Sequence, residues 1–193
     1  MKKTTIILIG VIVLIAIIAG TVLLFSNSKP KSNLPEIASE DDLLNLLESI
    51  EDKVYEAKNG EMPNMISAPV DLTDADSVKD FTGLENGENL EFLVVSQPSI
   101  NAQAYSFVLG KVKEGVDANE IAKQMNEKIN PRKWVCVSAE KVYSTSSGDV
   151  VCLVMSSEEL AKPIYDEFKA LAGGIGEEFV KTEEAVELPP DMY

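Results

Sequence analysis

Hydrophobic positions along this chain fall into three patterns: one unbroken run, stretches with a period near 3.6, and short apolar blocks between turn residues. The unbroken run is residues 6–25, IILIGVIVLIAIIAGTVLLF, 20 residues without a charge. At about 1.5 Å per residue it spans about 30 Å, the thickness of a hydrocarbon core. It is longer than the apolar region of a cleaved signal peptide, and Ser26-Asn27-Ser28 is a poor cleavage site. Residues 1–25 are therefore expected to be a signal anchor, a single transmembrane helix. Lys2 and Lys3 before it are nearly balanced by Lys29 and Lys31 after it. So short a leader nevertheless predicts the N-terminus in the cytoplasm and residues 26–193 outside. Residues 26–38, rich in Ser, Asn, Lys and Pro, read as a linker.

Helical periods follow. Leu43, Leu47, Ile50 and Val54 mark one face of a helix that starts at Ser39, carries acids at Glu40, Asp41 and Asp42, and ends at Asn59-Gly60. The opposite face, with Glu48, Glu51, Asp52 and Glu56, reads as solvated and would repel anionic lipid. Asp74 or Asp76 caps a short helix through Phe81. Asp117, with Glu120 completing a capping box, starts a third whose apolar face is Ile121, Ala122, Met125 and Ile129. A fourth is expected from Pro163, after a turn over 157–162, because an interior proline removes a hydrogen bond. Ile164, Phe168 and Leu171 face the core and Gly173-Gly174 ends it.

The apolar blocks read as strands: 91–97, 104–113, a segment from 134 to 137 extending toward Tyr143, and 150–155. Residues 144–149 are turn chemistry between the last two, and the proline-containing stretch 62–70 is given no element. Two strand-strand-helix units in tandem predict an α+β domain over 39–176, an antiparallel sheet of about four strands with helices on one face. Residues 177–193, acidic and with Pro189-Pro190, read as a mobile tail.

The anchor, the opening amphipathic helix, the segment AYSFVLGKVKEGVDANEIAKQMNEKI and the later VYSTSSGDVVCLVMSSEE resemble an uncharacterised family of Gram-positive membrane-anchored or lipoprotein extracytoplasmic domains. The likeness covers roughly residues 40–172 and implies a cell-surface location and a fold class, but no activity. The chain differs from the family in having a helix anchor where many members have a lipidated cysteine.

Charge sharpens this. Seventeen basic residues oppose 32 acids, a formal net charge of −15. Beyond Lys31, thirteen basic residues remain against all 32 acids, a net of −19. Nucleic acid is excluded as a partner, and basic or cationic partners are favoured. The chain has no histidine, so there is no Ser-His-Asp triad and no imidazole metal ligand. Asp71, Asp74 and Asp76 lack the glycine and terminal acid of a calcium loop. Gly173-Gly174-Ile175-Gly176 follows a helix, whereas a phosphate loop precedes one. No metal or cofactor is expected.

The two cysteines, Cys136 and Cys152, fall in predicted strands of one sheet. A hairpin centred on Ser146-Ser147 offsets them, so both free thiols and, with a shifted register, a disulfide stay open. Without a histidine base, a catalytic cysteine is not expected. Trp134, Tyr105 and Tyr143 are core residues by spacing, or else the lining of an interaction surface. Two functional readings result. The first is a membrane-anchored extracytoplasmic binding domain whose partner is an envelope protein or polymer. The second is a carboxylate-based envelope hydrolase, which requires two acids facing one cleft.

Overall fold

The structure is a computed structural model and describes residues 31–60, 64–99, 103–134 and 136–183. The expected anchor at 6–25 lies outside these residues. Among the described residues no helix is long and apolar enough to cross a membrane.

Helix α1, Glu40–Ala57, begins as its sequence requires. The Ser39 hydroxyl oxygen accepts the Asp42 N–H, and the Asp42 carboxylate accepts the Ala38 N–H and the Ser39 O–H. It ends at Asn59 and Gly60, both in the left-handed region at φ 54° and 81°. Strand β1 (Met65–Pro69) and helix α2 (Ala75–Thr82) follow, the helix capped by the Asp74 carboxylate. Then come β2 (Leu90–Pro98), β3 (Ser106–Val112) and α3 (Ala118–Lys128). Asp117 caps α3, while Glu120 accepts from the Gln124 amide instead of reaching back to the cap. Strands β4 (Lys141–Ser147) and β5 (Val150–Ser156), helix α4 (Glu158–Ala172) and β6 (Phe179–Thr182) complete the fold.

The six strands form one antiparallel sheet in the order β1-β2-β3-β5-β4-β6. Its helices do not lie on one face, as the tandem units suggested; they cover both. Phe107, Leu109, Cys152 and Val154 meet Leu43, Leu47 and Ile50 of α1 and Ile164 and Phe168 of α4. The alternate residues Val108, Val151, Leu153 and Met155 meet Val78 of α2 and Ile121, Ala122 and Met125 of α3. Successive strand residues point to opposite faces, so a strand buried on both sides must be apolar throughout. β5, Val-Val-Cys-Leu-Val-Met-Ser, is buried at all seven positions. A fully buried Leu, Phe or Met contributes about 1.5–3 kcal/mol, so two cores of this kind dominate stability.

Four local expectations are corrected. Residues 134, 136 and 137 are not in a strand; β4 lies later and runs through the serine-rich stretch read as a turn. Three of its buried hydroxyls find carbonyls: Ser144 donates to Ala122, Thr145 to Glu177 and Ser147 to Gly174, at 2.6–2.9 Å. The turn is the two residues Gly148-Asp149, with a positive φ only at Gly148 (62°), the type II′ signature. Helix α4 runs unbroken through Pro163, because Leu160 and Ala161 before it and Ile164 and Phe168 after it are all buried. That burial outweighs a local cost of about 3 kcal/mol. Strand β1 forms from the proline-containing stretch, with Pro69 as its last residue. Strand β6 forms within the expected tail and pairs with β4; residues 184–193 of that tail lie outside the described part.

The chain also docks before α1. The Asn33 N–H donates to the Ala172 carbonyl at 2.8 Å, Leu34 packs against the α1/α4 core, and Ile37 is buried.

Candidate functional site

The three aromatic side chains singled out in the sequence do not converge. Tyr105 is fully buried beneath α1. Tyr143 is 8% exposed and stacks on Tyr165 with centroids 5.0 Å apart. Trp134 packs against the opposite core. There the Lys133 ammonium lies 5.4 Å from the Trp134 ring centroid and 4.7 Å from that of Phe81, and donates to the Asp80 carboxylate at 3.1 Å. Burial lowers the Lys133 pKa, and Asp80 opposes the shift. This clasp ties the 131–140 connection to α2. Both cysteines are free: Cys152 is buried opposite Thr145 and Leu109, and Cys136 is exposed and outside the sheet. Burial pushes the Cys152 thiol far above its ordinary value.

A different place in the fold has the makings of a site. Where the second half of α1 passes β1, a cleft of about 400 Å³ opens, lined by Glu48, Glu51, Asp52, Tyr55, Asn64, Met65 and Ser67. The three acids sit at i, i+3 and i+4, so one turn of helix presents all of them. Glu48 and Asp52 are exposed, but Glu51 is only 7% exposed. The Tyr105 hydroxyl donates to Glu51 Oε1 at 2.6 Å. Ser96, on the neighbouring strand, lies near enough to favour the charged carboxylate, yet its fully buried Oγ has no hydrogen-bond partner among the described residues. Ser96 is in register with Ser67 of the cleft wall.

The electrostatics are unbalanced. Burial raises the Glu51 pKa above its ordinary value; Tyr105 and then Ser96 oppose the shift, and the charges of Glu48 and Asp52 add to it. None of the ion pairs among the described residues involves Glu48, Glu51 or Asp52. A second hollow of about 650 Å³, near Glu91, Glu114 and Asp149, is also acidic. There, however, Lys111 pairs with Glu91 at 3.1 Å and approaches Asp149 at 3.9 Å.

Among the described residues no three acidic or cysteine side chains converge closely enough to hold a metal ion. Glu48, Glu51 and Asp52 present negative charge to the cleft with no basic side chain paired to them among the described residues. Tyr55, 49% exposed, also lines the cleft.

Sequence reading placed Glu48, Glu51 and Asp52 together on a solvated face. A signal for more was present: Glu51 lies four residues after Leu47 and three before Val54, on the flank of the apolar stripe. What the sequence does not show is that Tyr105, 54 residues away, comes to meet it.

No protein-family model, curated protein or solved structure matches the chain.

Proposed function

We propose that this chain is a binding module held at the cell membrane by residues 6–25, with the domain outside, and that it captures a cationic group of an envelope partner in the α1/β1 cleft. In this reading it is one of the Gram-positive surface domains it resembles. The observation that carries the reading is the cleft itself, with three acids, one of them buried beside Tyr105, and no basic partner for any of them among the described residues. A cation entering it restores the compensation that Glu51 lacks, and the domain's overall negative charge steers such a group inward. Hydrolysis of a glycoside needs carboxylates flanking the scissile bond from two sides. Here all three acids project from one turn of one helix, which favours holding a cation over cleaving a bond.

The test is a titration of the full-length chain in non-ionic detergent with a capped pentalysine peptide. Binding is expected, weakening steeply with salt. The combined Glu48→Gln, Glu51→Gln and Asp52→Asn variant is expected to lose it by at least about tenfold while its circular dichroism is unchanged. Undiminished affinity in that variant refutes the cleft. A reporter fused after Tyr193 and active only after export tests the orientation; activity confined to the cytoplasm refutes it.

A further inference from the structure

Strand β1 is an edge of the sheet, and the way its backbone is oriented says what can join it. Its ladder with β2 is fixed by two bonds: Ser99 N–H to the Asn64 carbonyl and Val70 N–H to the Leu93 carbonyl, each 2.8 Å. In an antiparallel pair, residues alternate between turning both backbone groups toward the partner and turning both away. Asn64 and Val70 turn inward, and so do Ile66 and Ala68 between them. Met65 and Ser67 therefore direct their N–H and C=O groups outward, and Pro69 directs a carbonyl outward and has no N–H to offer. Among the described residues nothing pairs with this edge.

The two faces of that edge differ sharply. Met65 and Ser67 turn their side chains toward the acid cleft with Glu48, Glu51 and Asp52. Ile66 and Ala68 turn theirs to the other face, where a hollow of about 320 Å³ includes Phe81 and Val95. Ile66 is 59% exposed, the most exposed large apolar residue among those described. Pro69 blunts the end of this five-residue edge, but Met65 to Ser67, with an exposed isoleucine and no charge, remain open to pairing.

We infer that the partner captured by the cleft is an extended peptide segment that adds to β1 as a seventh strand, with basic residues at alternate positions and an apolar residue between them. The inference rests on the proposed cationic cleft and names what supplies the cation. Residues directly opposite in an antiparallel pair share a face. The two incoming residues opposite Met65 and Ser67 exchange backbone hydrogen bonds with them and drop their side chains beside the three acids. The residue between them lies beside Ile66, over the Phe81 and Val95 hollow. A basic-apolar-basic triplet therefore satisfies the edge, the charge and the exposed isoleucine together. A second copy of this chain fits poorly, because edge pairing of two β1 strands brings two uncompensated acid clefts together.

The test uses the full-length chain in non-ionic detergent and the capped heptapeptide Ser-Thr-Lys-Val-Lys-Thr-Ser. Binding is expected, together with slowed hydrogen exchange at the Met65 and Ser67 amides. Methylating the backbone nitrogens of both peptide lysines keeps the charge but removes two donors, and should weaken binding about thirtyfold. From the protein side, Ser67→Pro removes one outward N–H without touching the β2 ladder, and should weaken binding about fivefold where Ser67→Ala does not. If the methylated peptide binds as tightly as its parent, strand addition is refuted while the cationic cleft stands. If neither this peptide nor pentalysine binds, both readings fail. Protection of Met65 and Ser67 that rises with protein concentration alone assigns the edge to a second copy and overturns the inference.

Discussion

The Tyr105–Glu51 contact makes the sharpest test of the physical picture, because its energetics depend on pH. Removing the hydroxyl with Tyr105→Phe leaves a buried carboxylate without its 2.6 Å donor. A hydrogen bond to a charged group is worth about 1.5–3 kcal/mol, against about 1 kcal/mol for a neutral one. For a domain of this size, each kcal/mol lowers the melting temperature by about 2–4 °C, so the loss at neutral pH should be about 3–12 °C.

The sign of the pH dependence follows from the raised Glu51 pKa. The native state keeps the Glu51 proton to higher pH than the unfolded chain. Glu51 therefore costs nothing below its ordinary pKa, and its destabilising effect grows as pH rises through the folded value, then levels off. Glu51→Gln keeps an acceptor for Tyr105 but removes the charge. Its stability relative to the parent should rise between about pH 4 and about pH 8. In the glutamine background, Tyr105→Phe should cost less than in the parent at pH 8, and the two costs should converge at pH 4. Thermal melts of the four proteins of this cycle, in non-ionic detergent at both pH values, measure it. A Tyr105→Phe cost that is equal in both backgrounds at pH 8, or independent of pH, would refute a charged Glu51 as its partner.

Three further outcomes are expected. Gly83, with φ 76°, would place an added Cβ 2.4 Å from the Ile129 backbone nitrogen, so Gly83→Ala should lose about 2–4 kcal/mol by urea denaturation; a loss under about 0.5 kcal/mol would contradict the close approach of α2 to the end of α3. Phe168→Ala removes a fully buried ring from the α1/α4 core and should cost about 3–5 kcal/mol in the same assay, whereas a near-neutral effect would mean α4 is not seated there. Iodoacetamide should label Cys136 in the native protein and Cys152 only after unfolding, as read by mass spectrometry of digests; rapid native labelling of Cys152, or protection of both until reduction, would overturn the placement of the two thiols.

Much of the local structure was legible in the chain because local chemistry produced it. Ser39, Asp74 and Asp117 each cap the helix they precede, since a short polar side chain there satisfies amides the helix cannot. The stripe Leu43, Leu47, Ile50 and Val54 is buried because its period matches the helix. The uninterrupted Val150–Met155 run also held an unused signal: a strand without alternation is covered on both faces.

What the tertiary structure alone decided has a common cause, that remote backbone changes the meaning of a residue. Ser144, Thr145 and Ser147 read as a turn, but β5 pairs with all three and β6 with Ser144, and carbonyls from α3 and from residues 174–177 accept their hydroxyls. Pro163 reads as a helix start, but burial on both sides of it carries α4 through. Strand β1 is weak in sequence, and strand β6 is only four residues; each exists because a neighbouring strand supplies the ladder. The candidate site follows the same rule. By itself the sequence determined that the part beyond Lys31 is strongly acidic and lacks histidine, and that α1 carries three acids on one turn. Only the fold decided which acid loses its water, by setting Glu51 over Tyr105, and that those acids stand beside a strand edge with two outward N–H groups and an exposed isoleucine.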